Sequence, residues 1–374
     1  MPTSPAVPFR ADHVGSLLRP PALISARAEA AAGQLTQEAL RSVEDTAIQE
    51  VVKLQESVGL PAITDGEFRR TYFHIDFLEQ LKGVETKGGM TVSFRKQEGT
   101  VDFAPPVMQV TERVRHVRPI QVNDFKFLRA STDRTPKVCI PSPTMLHFRG
   151  GRAAISHEAY PDLELFYADV AAVYRQELRA LAAAGCRYVQ MDDTNLAYLC
   201  DPKMREGARS RGDDPDELPH RYAKLINAAI DDRPAGMAVA VHLCRGNFKS
   251  AWAAEGGYEP VAEVLFNELA VDGYFLEYDD QRSGDFAPLR FVPKGKRVVL
   301  GLVSSKRAEL ESSDDLRRRV DEATQYIDLD QLCLSPQCGF SSTAHGNDIT
   351  PQVQRAKLER VVETARAIWG DETL

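Results

Sequence analysis

The stretch Ala238-Val-Ala-Val-His242-Leu-Cys244-Arg245 is short, apolar, partly β-branched, and closes on polar side chains. Such a run fits a strand buried on both faces, as in a parallel sheet flanked by helices. Working outward, seven more runs share this character: His13 to Leu17, Ala62 to Glu67, Lys137 to Pro141, Tyr188 to Asp192, Tyr274 to Tyr278, Arg297 to Val303 and Leu332 to Pro336. Amphipathic helical patterns lie between them. Gln37 to Val58 places Leu40, Val43, Ala47, Val51 and Leu54 on one stripe, and Leu163 to Ala184 and Gln352 to Trp369 behave alike. Repeated strand-then-helix units predict an α/β fold, a (β/α)8 TIM barrel occupying residues 1–374 as a single catalytic domain.

One stretch breaks the alternation. Gly83 to Pro136 is too long for a plain connection and carries strand-like pieces at Thr91 to Arg95, Val107 to Val110 and Ile120 to Phe127. It predicts an antiparallel insertion after the second unit, residues 83–136, serving as a lid or an interface arm. No tandem repeat, low-complexity tract or Pro/Gly/Ser linker divides the chain.

Of the 374 residues, 43% are hydrophobic and 27% charged, enough for a large core without disulfides. A net charge of -8 argues against nucleic acid, because phosphate backbones reward clustered Lys and Arg. Met1 to Arg10 has no positively charged start followed by an apolar run, and no apolar stretch of about 18 residues occurs. The expectation is a cytoplasmic protein with no membrane partner. Six scattered cysteines then read as reduced thiols, available as ligands.

In a barrel of this kind the chemistry gathers where strands end. The fifth run ends in His242 and Cys244, the sixth in Glu277, and the eighth is followed by Cys338. Residues two apart on a strand face one side, so His242 and Cys244 can point together. Thiolates, an imidazole and a carboxylate are good Zn2+ donors, and thiolates favour zinc over magnesium or calcium. Taken singly, Cys338 reads first as a small core hydrophobe and His242 as a buried structural histidine; their joint placement with Cys244 and Glu277 where strands end is what raises the metal reading. The residues alone leave both readings standing.

The phrases His13-Val-Gly-Ser-Leu-Leu-Arg-Pro20, Thr64-Asp-Gly-Glu-Phe-Arg-Arg70, Gln190-Met-Asp-Asp193, Val241-His-Leu-Cys244 and Ser335-Pro-Gln-Cys-Gly339 follow one another in an order that resembles the cobalamin-independent methionine synthase family, in a short single-barrel form. The resemblance implies a zinc-dependent methyltransferase of the 5-methyltetrahydropteroyltriglutamate–homocysteine type, working in methionine biosynthesis. It implies His242, Cys244, Glu277 and Cys338 as ligands of a catalytic Zn2+. It also implies a homocysteine pocket, with the Gly15-Ser16 backbone taking the carboxylate and Glu67 and Asp192 taking the ammonium. The bland alternatives are a helix-capping Asp192 and a Glu67 paired with Arg69 or Arg70. A free thiol, with a pKa of about 8.5, is mostly protonated at neutral pH, whereas a metal-bound one is deprotonated. The expected partners are a small-molecule thiol and a methyl or alkyl donor, with a homo-oligomer left open.

The chain departs from the family pattern in two respects. Complete enzymes of the family have a second, N-terminal barrel that helps to hold the folate, and they place a histidine after the seventh strand, where this chain has Val303-Ser304-Ser305-Lys306. A general acid would then come from His13, His74 or His345, each near a strand end or its following loop. Two other functions stay open: thiol addition to an epoxide, as in the similar epoxyalkane:coenzyme M transferases, and a non-catalytic zinc-binding barrel. A sulfonate thiol needs an arginine near the metal, and Arg245 is expected to point away from Cys244.

Overall fold

A computed structural model describes residues 7–89, 91–96 and 99–371; residues 1–6, part of the stretch read above as lacking an export signal, lie outside the described residues. The strands are β1 (Ala62–Ile63), β2 (Lys82–Gly89), β3 (Val92–Arg95), β4 (Thr100–Phe103), β5 (Pro106–Arg115), β6 (Thr135–Pro141), β7 (Tyr188–Asp193), β8 (Ala238–Leu243), β9 (Gly273–Glu277), β10 (Arg297–Val303) and β11 (Leu332–Pro336). Seven of them form one parallel sheet in the order β1-β6-β7-β8-β9-β10-β11. Beyond β11, Ala11 makes a parallel bridge to Leu334, with Asp12 N donating to Leu334 O at 3.0 Å. Among the described residues no ladder joins this segment to β1.

Both faces of the sheet are buried, and the period of two divides them. Val189, Met191, Val239, Val241, Leu300 and Leu334 join the main core, whereas Tyr188, Ala240, Phe275, Val299 and Cys333 form a second cluster on the other face. Asp192, His242 and Glu277 share the parity of this second set and so project from the same face, at the C-terminal ends of their strands. Deeper on that face Lys137 pairs with Asp12 at 2.9 Å and with the Gln190 carboxamide oxygen at 3.0 Å, which neutralises a charge otherwise costly to bury.

The helices start where side-chain oxygens can accept their first free N–H groups. Thr36 caps Gln37–Val58 and Gly59 ends it in the left-handed region, Asp162 caps Leu163–Ala183, and Thr350 caps Pro351–Trp369. No helix among the described residues is long and apolar enough to cross a membrane.

Three expected strands are changed. His13 to Leu17 is a rim loop, because the Asp12 carboxylate takes the N–H groups of Phe9 and His13 and Gly15 turns at φ 130°. The run from Ala62 to Glu67 pairs only over β1 before it bends at Gly66 and Glu67, both at positive φ. Ile120 to Phe127 is not strand; Val122–Ala130 is a helix whose buried Val122, Phe125 and Leu128 recur at intervals of three. Elsewhere in segment 83–136, β2 pairs with β5 and β3 with β4, both antiparallel.

Candidate metal centre

His242 and Asp192 stand opposite each other on β8 and β7, on the same face, so their side chains meet. The His242 Nδ1 lies 3.2 Å from Asp192 Oδ1, leaving Nε2 on the side of the Gln337 carbonyl at 3.3 Å. Burial works to lower the pKa of His242, but the Asp192 bond and the charges of Cys338 and Glu277 raise it overall. An imidazole that gives one nitrogen to a carboxylate has its other nitrogen oriented, which is the usual arrangement of a metal-bound histidine.

Cys244 follows β8 immediately, where its N–H donates to Asp193 O at 2.8 Å and extends the β7–β8 pairing by one bond. Cys338 sits in the turn after β11, fixed by Gln337 N donating to Val303 O at 2.8 Å. The next residue approaches the Ser16 segment closely: a Cβ on Gly339 would lie 1.9 Å from Ser16 Oγ. The two sulfurs come within 3.4 Å as free thiols. The Cys244 S–H bonded to Cys338 pulls the Cys338 thiol down to about 6, while the same bond and burial push Cys244 up. Lys306, buried and without a hydrogen-bond partner for its ammonium, favours thiolate at both positions.

Glu277 ends β9 fully buried, with Oε1 accepting from Arg245 N at 3.2 Å and Oε2 lacking any hydrogen-bond partner. Its nearest cation is Arg282, 3.8 Å away. The ligand atoms of His242, Cys244, Glu277 and Cys338 all lie within 4.8 Å of one another. Two soft sulfurs, an oriented imidazole nitrogen and an orphaned carboxylate oxygen suit a thiophilic divalent ion such as Zn2+.

A cavity adjoins the centre and is bordered by Ser16, Glu67, Asp192, His242, Cys244 and Cys338. Glu67 holds φ 59°, a backbone state that costs a non-glycine residue about 1 kcal/mol and recurs at functional sites. Arg19 donates to its carbonyl at 2.7 Å, and Asp65 Oδ1 accepts from its N–H at 2.9 Å. Burial lifts its carboxyl to about 7, with Arg70 opposing and Asp192 adding to the rise. Arg70 lies 3.7 Å from Glu67, so the ion pair weighed above is present, yet Glu67 Oε2 has no hydrogen bond. Asp192 is not a cap; Asp193 takes that role, accepting from Leu196 N at 2.8 Å.

Gly15 lies behind the cavity, where a Cβ would be 2.5 Å from Cys139 Sγ and 3.4 Å from Glu67 Oε1. Of the three histidines only His74 borders the cavity, buried and with neither ring nitrogen hydrogen-bonded. Burial and then the charge of Arg149 push its pKa well below the ordinary histidine value. His13 is buried elsewhere, its Nε2 3.2 Å from Ala62 O, and burial lowers it to about 4. His345 is exposed and packs edge-on against Phe103 and Phe248.

Arg245 turns away from the cavity, toward Gly256 O and the Tyr258 ring. Sequence reasoning missed the cation that does border it, Arg149, and the aromatic side chains Phe94, Phe103 and Phe248. Phe103 stacks on Phe248 at 4.0 Å, and the β3–β4 hairpin is held by Arg95 N donating to Trp252 O at 2.7 Å. Arg149 stands in no motif; its one signal was a position after the β6 strand end.

The family model for the catalytic domain of cobalamin-independent synthases matches residues 9–366. The chain is 46% identical over 368 residues to the uncharacterized protein YxjH of Bacillus subtilis, covering 97% of this chain and 95% of that one. It is 24% identical over 341 residues to the methionine synthase of Pyrococcus abyssi, covering 90% and 86%. A solved structure from Listeria monocytogenes, assigned as a vitamin-B12-independent methionine synthase, superposes with a TM-score of 0.78 at 37% identity, covering 97% of this chain and 99% of that one.

Proposed function

The chain belongs to the cobalamin-independent methionine synthase family, and on that premise we propose that it transfers a methyl or similar alkyl group to the sulfur of homocysteine in a zinc-dependent reaction. The observation that carries this reading is the convergence of His242, Cys244, Glu277 and Cys338 beside a cavity lined by Glu67 and Asp192. We take the parallel sheet and the Ala11 segment as a ring of eight strands, a single barrel, whose C-terminal rim this cavity occupies.

His242, Cys244, Glu277 and Cys338 would hold the ion. Bound there, Zn2+ would keep a substrate thiol deprotonated and nucleophilic at neutral pH. Glu67 and Asp192 offer carboxylate oxygens to the ammonium of homocysteine, and the rim backbone at Gly15 and Ser16 offers N–H groups to its carboxylate. The sulfur end of the amino acid then faces Cys244 and Cys338. Aromatic side chains of the β3–β4 hairpin close the cavity against water, so segment 83–136 acts as a roof. In the transfer the substrate sulfur forms a bond to the alkyl carbon as the bond from that carbon to the donor breaks.

Zinc analysis with X-ray absorption spectroscopy tests this. Purified protein should carry about one zinc per chain bound by two sulfurs, a nitrogen and an oxygen. Homocysteine should add a sulfur to that set, and methionine should form when a competent donor is supplied. A zinc spectrum unchanged by homocysteine would sink the reading.

A further inference from the structure

Two protein sulfurs would sit beside the sulfur of the substrate, and an alkyl group can in principle end on any of the three. The hydrogen bonds that reach each sulfur separate them. Gly246 N donates to Cys244 Sγ at 3.3 Å, because the chain turns at Gly246, φ 92°, and brings that N–H back over the residue two positions earlier. The turn is closely packed, since a Cβ on Gly246 would lie 2.9 Å from Ala253 Cβ and 3.0 Å from Ala253 N. Cys338 is served by side chains instead. Asn247 Nδ2 donates to Gly339 O at 2.8 Å, and because a carbonyl can only accept, this bond fixes which end of the carboxamide faces the sulfur. The same nitrogen lies 3.7 Å from Cys338 Sγ and 3.3 Å from Ser342 Oγ, and the Ser342 hydroxyl lies 3.6 Å from that sulfur. Cys244, Cys338 and Asn247 are all buried, so little water competes for these bonds.

A hydrogen bond to a thiolate engages the lone pairs that would attack carbon; it lowers the basicity of the sulfur, and nucleophilicity falls with basicity. We infer that Gly246 N–H, Asn247 and Ser342 are positioning groups that make the two protein sulfurs poor nucleophiles, so that the alkyl group goes to the substrate sulfur and the ligand cysteines stay unmodified. Each donor acts through a cysteine. Cys244 is protected by a backbone N–H and Cys338 by side chains, so only the second protection can be removed by substitution. In directing the alkyl group the inference rests on the function proposed above; the separate protection of the two cysteines stands on the hydrogen bonds alone.

Zinc-loaded protein without homocysteine is treated with methyl iodide, and the cysteine peptides are mapped by mass spectrometry. Methylation forms a bond from sulfur to the methyl carbon as the carbon–iodine bond breaks and iodide leaves. The quantity read is the rate at Cys338 divided by the rate at Cys244 in the same molecule. Losing one charge-assisted hydrogen bond makes a sulfur roughly tenfold more basic, and about half of that, on a logarithmic scale, reaches its nucleophilicity. Ser342→Val and Ser342→Thr have nearly the same shape and differ in the hydroxyl, so the ratio should be about threefold higher in the first than in the second. Asn247→Leu, which keeps the bulk and loses the donor, should raise the ratio over the parent by about as much. The rate at Cys244 should hold within about twofold throughout, since its backbone donor remains. A ratio unchanged by Ser342→Val and Asn247→Leu, or an equal rise at both cysteines, would overturn the inference. Cys186, buried before the start of β7, stays unmethylated in folded protein. Should Asn247→Leu expose it, the Ser342 pair alone decides. Zinc content and the X-ray absorption response to homocysteine, read on the same samples, report separately on the proposed function.

Discussion

Two clusters on the same face of the sheet carry ligand-type side chains within 4.8 Å: His242, Cys244, Glu277 and Cys338 in one, Glu67, Cys139 and Asp192 in the other. Both are buried and both include a thiol, yet their sulfur chemistry differs. In the first, the Cys244 and Cys338 sulfurs lie 3.4 Å apart, and their bond draws the Cys338 thiol down to about 6 while Cys244 is pushed up. In the second, Cys139 has no thiol neighbour; its S–H donates to Val14 O at 3.2 Å, and burial and the charge of Asp192 push it well above the usual thiol range. The second cluster is two carboxylates beside a buried thiol, the group proposed above to receive an ammonium. Donor type and spacing do not by themselves distinguish a metal site from a cation pocket; the two clusters differ in the number of their sulfurs and in what each sulfur meets.

The contrast breaks most directly at the cysteines. Cys244→Ala or Cys338→Ala should cut zinc from about one per chain to a small fraction and abolish alkyl transfer, with the circular dichroism spectrum retained. Glu277→Gln should keep more zinc than either, since an amide oxygen still offers a donor. Metal analysis of the three variants checks the order, and full zinc in both cysteine variants would erase the distinction between the clusters.

Glu67→Gln sharpens the other side of the comparison. It should leave zinc untouched and weaken methionine binding by about 10- to 100-fold, the value of one charge-assisted hydrogen bond of roughly 1.5–3 kcal/mol. Calorimetric titration reads it, and methionine avoids the ionisation of a substrate thiol.

A smaller effect follows from the Glu67 carboxyl, which burial holds near 7. An ammonium binds the carboxylate and not the acid, so the proton must leave first. Methionine affinity should therefore rise between pH 6 and pH 8, by at most about tenfold per unit below the pKa and levelling above it. The slope should vanish in Glu67→Gln. An equal slope in both proteins would place the titrating group elsewhere.

The smallest change is expected from Cys139→Ala. Zinc content and methionine affinity should each stay within about twofold of the parent, because the sulfur contributes one weak hydrogen bond to a carbonyl. Loss of zinc in this variant would make the second cluster a metal site after all.

Much of this molecule is written locally. Gln37–Val58 is a helix with the bounds its apolar stripe predicts, and Thr36 and Gly59 terminate it by their own conformational preferences. The β-branched runs from Lys137 onward form strands, and His242 and Glu277 share a face because side chains alternate along a strand. That is why the candidate ligands could be named from strand ends alone.

Other features required the chain to come back on itself. Ile120 to Phe127 has the residues of a strand, but buried contacts at Val122, Phe125 and Leu128 select a helix. Nothing near Cys139 in sequence announces Glu67 beside it, and nothing near Arg149 announces His74 or the hairpin bearing Phe94 and Phe103. These meetings depend on loop paths, among them the positive-φ bend at Gly66 and Glu67 and the backbone bonds between Arg95 and Trp252. Periodicity and propensity act over one or two turns of chain, so the sequence by itself determined the strands from Lys137 onward, the long capped helices and the strand-end donors. Which side chain faces which across the cavity, and hence whether a thiol is a ligand or an inert neighbour, is decided by distance and burial that exist only in the folded chain.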